Sequence, residues 1–140
     1  MKNIAVIGTG VIGTGWILRF LANDIKVKAF DKNNQQIIFL KEEIRRTNLI
    51  IKKLYNTKIN IKNLEIVENI EEAVKNADLI QENVPERLIL KKDVINNISK
   101  YSPSNSIIAS SSSGLLPSDL QLKCINPKRL IIAHPFNPVY

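Results

Sequence analysis

The feature that most constrains this chain is a glycine turn placed directly after its first apolar run. Residues 2–7 lead into Gly8-Thr9-Gly10-Val11-Ile12-Gly13, and a second apolar stretch, Val27-Lys28-Ala29-Phe30, ends at Asp31. A short, continuously apolar run reads as a strand buried on both faces. Strand, G-x-G-x-x-G, helix, strand and acid, in that order, form the pattern of a dinucleotide-binding unit. Gly8 lets the chain turn tightly out of the strand. Gly10 leaves the backbone bare, so a pyrophosphate can approach it. Gly13 lets the following helix pack closely. Val11 and Ile12 open that helix, where unpaired N–H groups and a partial positive charge face the phosphates. Asp31 stands where a carboxylate accepts hydrogen bonds from ribose hydroxyls. The same carboxylate repels a 2′-phosphate, so the expected cofactor is NAD rather than NADP. The neighbouring Lys32 reads as a solvated surface lysine.

The rest of the chain repeats the alternation. Strands are expected at 25–30, 64–67, 79–82, 106–109 and 130–133. Helices are expected at 11–23, 33–55, 70–76, 87–99 and 117–122, with a turn at Pro103-Ser104-Asn105. The long second helix carries Ile37, Leu40, Ile44, Leu49 and Leu54 as its apolar positions. Strands alternating with helices imply an α/β fold with a Rossmann-type, doubly wound parallel sheet. No internal repeat and no linker interrupts it, so residues 1–140 read as one NAD-binding domain.

Composition narrows the partners. The chain carries 20 Lys and Arg against 13 Asp and Glu, a net charge of +7. The lysines are scattered, with pairs such as Lys52-Lys53 and Lys91-Lys92 as the longest basic runs, and no aromatic residues interleave with them. That argues against a nucleic-acid surface. The one cysteine, Cys124, rules out an internal disulfide and reads as a buried small residue. No secretory leader precedes the first strand and no apolar stretch is long enough for a membrane span. The expectation is a cytoplasmic protein without membrane partners.

Two further segments are more specific. One is Gln81-Glu82-Asn83-Val84-Pro85-Glu86-Arg87-Leu88-Ile89-Leu90-Lys91-Lys92. The other runs through Ser110-Ser111-Ser112-Ser113-Gly114-Leu115-Leu116-Pro117 to His134-Pro135-Phe136-Asn137-Pro138-Val139-Tyr140. Together with Gly13-Thr14-Gly15-Trp16, the whole chain resembles the NAD-binding domain of the L-3-hydroxyacyl-CoA dehydrogenase family. The hydroxyacyl-CoA enzymes carry Ser-Asn-Thr-Ser where this chain has its serine run, so Ser111 stands at an asparagine position. The likeness is nearer to the branch that acts on L-carnitine.

The resemblance implies a small-molecule 3-hydroxy substrate, with L-carnitine favoured and a 3-hydroxyacyl-CoA as the alternative. It implies that His134 is the catalytic base and that Ser113 binds the substrate hydroxyl. Imidazole suits proton transfer near neutral pH, and His134 follows a strand expected to end at the ligand-binding edge of the sheet. By pattern alone, a lone histidine is more often structural, and a serine run is more often a polar loop. The resemblance also implies cofactor contacts at Val84, Glu86, Lys91 and Ser111. For Glu86 and Lys91 the plain reading is an exposed charge pair opening a helix.

The family's partner glutamate for the histidine and an asparagine from a C-terminal helical domain would both fall beyond Tyr140. The chain therefore reads as the N-terminal part of a longer dehydrogenase, homodimeric at full length and inactive as this piece alone. A non-catalytic NAD-binding protein of the crystallin type is the reading from a different class. Dehydrogenases with a lysine base share the first motif and lack the serine and histidine segments.

Overall fold

The computed structural model describes residues 3–139; Lys2 of the first expected strand and Tyr140 of the last motif lie outside them. Six strands form one sheet: β1 Asn3–Ile7, β2 Lys26–Phe30, β3 Leu64–Ile66, β4 Leu79–Glu82, β5 Ile107–Ser110 and β6 Leu130–Ile132. Every pairing is parallel, and the spatial order is β3-β2-β1-β4-β5-β6. The order reverses between β1 and β4. A crevice opens there at the C-terminal ends of the strands, where this architecture holds its ligands.

The helices are α1 Val11–Ala22, α2 Asn34–Tyr55, α3 Ile70–Val74, α4 Leu88–Tyr101 and α5 Pro117–Gln121. Two single 3₁₀ turns, Ile61–Asn63 and Pro127–Arg129, precede β3 and β6 and carry no signal strong enough to read from sequence. Strand β1 explains the two-layered core. Its Ala5 and Ile7 join Ile80, Ile108, Ile95, Ile98 and Leu120 on one face of the sheet. Its Ile4 and Val6 join Val27, Ile17, Leu18, Leu21 and Leu40 on the other. A strand covered on both faces has no polar alternation to show.

Helix α2 corrects one expectation. Its buried positions are Leu40, Ile44, Thr47 and Ile51, spaced four, three and four apart. Leu49 and Leu54 are 69% and 65% exposed. At about 100° per residue, Leu49 lies on the side of the helix opposite Leu40. The inward stripe is completed by a threonine, whose hydroxyl donates to the Glu43 carbonyl at 2.5 Å. The helix starts at an Asn33 cap whose side chain accepts from the Gln35 N–H. It ends at Asn56, which adopts the left-handed conformation with φ 50°.

Candidate functional site

The glycine turn is built as its spacing requires. Gly8 has φ +90°, and its N–H donates to the Phe30 carbonyl at 2.8 Å. A Cβ at Gly13 would stand 1.9 Å from the Gly8 carbonyl oxygen, so the start of α1 rests directly on the turn. Gly10 differs from both. Its nearest neighbour to an added Cβ would be the Gln36 Oε1 at 3.8 Å, which leaves open space over the turn. No side chain caps α1, so the amides of Val11, Ile12 and Gly13 remain available at its N-terminus. Bare amides around an open glycine fit an anionic phosphate group.

Asp31 closes the other side of the turn. Its Oδ2 accepts the Thr9 N–H at 2.7 Å and the Thr9 hydroxyl at 3.3 Å, while Oδ1 accepts the Asn33 N–H at 2.8 Å. Thr14 in turn donates its hydroxyl to the Thr9 carbonyl at 2.8 Å. The carboxylate is thus fixed before any ligand arrives, and it retains lone pairs toward the crevice.

A cleft of about 1130 Å³ runs from this turn across the sheet edge. Gly8, Gly10, Val11, Ile12, Asp31 and Val84 line it, so six of the expected cofactor residues share one wall system. Asn83, Arg87 and Gln36 also line it and were not singled out from sequence. So do Leu90, Val94, Asn97 and Tyr101. Those four are spaced four, three and four apart on α4, a stripe that its helical period makes visible. Asn83 belongs to the switch point itself. Its N–H donates to the Ile7 carbonyl at 2.7 Å, and its backbone would collide with any Cβ on Gly8.

Gly13, Glu86, Lys91, Ser111, Ser113 and His134 do not line that cleft. Lys91 is the least expected of these placements. The plain sequence reading pairs Lys91 with Glu86 as exposed charges opening a helix, yet Lys91 is 1% exposed and Glu82, at the end of β4, is 0% exposed. The Lys91 ammonium donates to both Glu82 carboxylate oxygens, at 2.8 and 3.0 Å, and lies 3.5 Å from Glu86. Val84 and Ser110 also donate to Glu82. Glu86 accepts the N–H groups of Ser113 and Gly114, both at 3.0 Å, and accepts the Ser112 hydroxyl as well. Partial burial pushes the Glu86 carboxyl up. The Ser112 hydroxyl, the Gly114 N–H, the Lys91 charge and the Ser113 N–H together outweigh that and hold it down at about 2.

Three of the four serines are therefore committed to the protein. Ser110 bonds Glu82 and Ser112 bonds Glu86. Ser111 donates to Asn83 Oδ1 and accepts from Gln81 Nε2, both at 2.7 Å. The Ser113 hydroxyl makes no hydrogen bond among the described residues, and Ser113 is exposed. The parallel register sets Ser110 beside Ile132, and the Ala133 N–H donates to the Ser110 carbonyl at 2.8 Å. Ser113 and His134 thus follow the C-terminal ends of adjacent strands. His134 is exposed, with its ring packed edge-on to Phe136 at a centroid separation of 6.1 Å. No cluster of side chains suited to a metal ion occurs among the described residues. No described helix is long and apolar enough to cross a membrane.

Comparison with known proteins agrees with this geometry. The sequence model of the 3-hydroxyacyl-CoA dehydrogenase NAD-binding domain matches residues 3–140. The chain is 48% identical to an L-carnitine dehydrogenase of Oceanobacillus iheyensis, covering 100% of this chain and 46% of that protein. It is 45% identical to an L-carnitine dehydrogenase of Bacillus cereus, covering 100% of this chain and 43% of that one. Among solved structures, a diketoreductase superposes with a TM-score of 0.91 at 28% identity, covering 100% of this chain and 52% of its own. The chain spans under half the length of these two L-carnitine dehydrogenases.

Proposed function

The chain belongs to the 3-hydroxyacyl-CoA dehydrogenase family as its NAD-binding domain, and from that premise we propose that the protein carrying it oxidises L-carnitine to 3-dehydrocarnitine. The observation that carries the substrate reading is the likeness, over the whole of this chain, to L-carnitine dehydrogenases. The departure at Ser111 from the asparagine of the hydroxyacyl-CoA enzymes also favours it over an acyl-CoA.

In this reading Gly8 shapes the turn, the amides of Gly10, Val11, Ile12 and Gly13 bind the pyrophosphate, and Asp31 accepts the ribose hydroxyls. Val84 lies along the cleft wall, and Glu86, Lys91 and Ser111 shape the end near the redox ring. When bound, NAD supplies a two-electron acceptor for the hydride of the substrate's hydroxyl-bearing carbon. His134 takes the hydroxyl proton as the C–H and O–H bonds break and the C=O bond forms. Ser113 donates a hydrogen bond to the same oxygen and holds it toward the imidazole. Lys91, enclosed in its ion pair, acts on Glu86 and the loop rather than by touching ligand. The same reading takes the complete protein to be a cytoplasmic homodimer, and sedimentation of the full-length protein measures its oligomeric state.

Turnover of L-carnitine and of 3-hydroxybutyryl-CoA with NAD, compared in the full-length protein, tests the proposal. The expected result is a kcat/KM for L-carnitine at least tenfold the higher, with His134→Ala losing kcat about 100-fold or more. Preference for the acyl-CoA refutes the substrate. An active His134→Ala refutes the base.

A further inference from the structure

Glu82 has a place in the structure that neither the cofactor cleft nor the catalytic pair explains. It is fully buried and charged, and it gathers donors from three segments: the Lys91 ammonium from α4, the Val84 N–H from the cleft wall, and the Ser110 hydroxyl from β5. The Ser111 N–H also donates to the Glu82 carbonyl at 2.9 Å. Lys91 then reaches Glu86, which holds the Ser112 hydroxyl and the N–H groups of Ser113 and Gly114. The Ser112 N–H completes a second link by donating to the Ser110 hydroxyl at 3.3 Å. Every residue from 110 to 114 is tied by side chain or backbone to Glu82, Asn83 or Glu86. Among the described residues, the Ser113 hydroxyl alone of the four serine hydroxyls has no hydrogen-bond partner.

A buried ion pair does not by itself stabilise a fold, because removing both charges from water offsets their attraction. In some proteins such a pair serves instead to fix a geometry. We infer that Glu82, acting through Ser110 and through Lys91 and Glu86, is a positioning residue that clamps the serine loop so that the Ser113 hydroxyl is presented beside His134. The inference rests on the reading of Ser113 as the residue that binds the substrate hydroxyl. A misplacement of about 1 Å in such a group costs on the order of 100-fold in rate.

Ser110→Ala cuts the direct link and leaves the Glu82–Lys91 pair intact. Ser112→Ala, on the Glu86 side, serves if the first variant does not fold. In the full-length protein, Ser110→Ala is expected to lower kcat for L-carnitine about 10- to 100-fold. NADH affinity should stay within twofold, and the N–H groups of Ser113 and Gly114 should exchange faster with solvent. Introduced into Ser113→Ala, the same substitution should change kcat less than twofold, because the group it positions is gone. A purely structural role would lower both backgrounds equally, and that additivity overturns the clamp. Unchanged exchange at Ser113 and Gly114, or a kcat within twofold of wild type, overturns it too. The exchange measurement needs no substrate. A wild-type protein inactive on L-carnitine would refute the substrate while exchange still decides the clamp.

Discussion

The Asp31 carboxylate accepts the backbone N–H of Thr9 at 2.7 Å, joining the end of β2 to the glycine turn that follows β1. These residues are 22 apart in sequence. The bond fixes the carboxylate against the turn that would hold the pyrophosphate, so ribose and phosphate sites are set relative to each other before the cofactor arrives. Preorganisation of this kind lowers the ordering cost of binding.

The glycines separate by what each does. Gly10→Ala places a methyl in open space at a backbone conformation, φ −62° and ψ −169°, that alanine adopts freely. It should change stability by less than about 1 kcal/mol, the loss of a glycine cap, while weakening NADH binding about tenfold or more. Gly13→Ala drives a Cβ to 1.9 Å from the Gly8 carbonyl and should cost about 1–3 kcal/mol or more of folding stability. Denaturant melts paired with NADH titrations distinguish the two.

Lys91→Met removes the cation from a fully buried carboxylate. Stranding Glu82 should destabilise the protein by about 3–5 kcal/mol. Adding Glu82→Leu to the same protein should recover much of that loss, because the buried charge is then absent. Urea unfolding of both variants measures it, and a Lys91→Met variant as stable as wild type would contradict the buried pair.

Glu86 predicts a pH signature. Its carboxyl sits at about 2 against an ordinary 4.5, so the folded state favours the ionised form. Its contribution to stability is then fully present above about pH 4.5 and is lost as pH falls toward 2. The melting-temperature gap between wild type and Glu86→Gln should be constant above pH 5 and shrink steadily below it. The group is 38% exposed, so salt should narrow the gap as well.

Much of this arrangement was readable in the chain. The strands announce themselves because both faces of the sheet are covered, and the glycine spacing marks the turn. Asp31 follows because the second strand must end beside the first. The burial of Lys91 was not legible, since Glu86 and Lys91 look like an exposed charge pair opening a helix until β4 sets Glu82 beside the lysine. The inward face of α2 was misread at Leu49 and Leu54 because a threonine, Thr47, completes the buried stripe. The individual fates of the serines were equally hidden, because identical residues differ only in which carboxylate or amide the fold sets beside them.

Calorimetric titration of NADH into the folded full-length protein tests the central claim most directly. The account predicts one nucleotide bound per chain, with affinity falling about tenfold or more in Asp31→Ala through loss of charge-assisted hydrogen bonds. A well-folded protein that takes up no NADH, or one whose affinity is indifferent to Asp31, would contradict it.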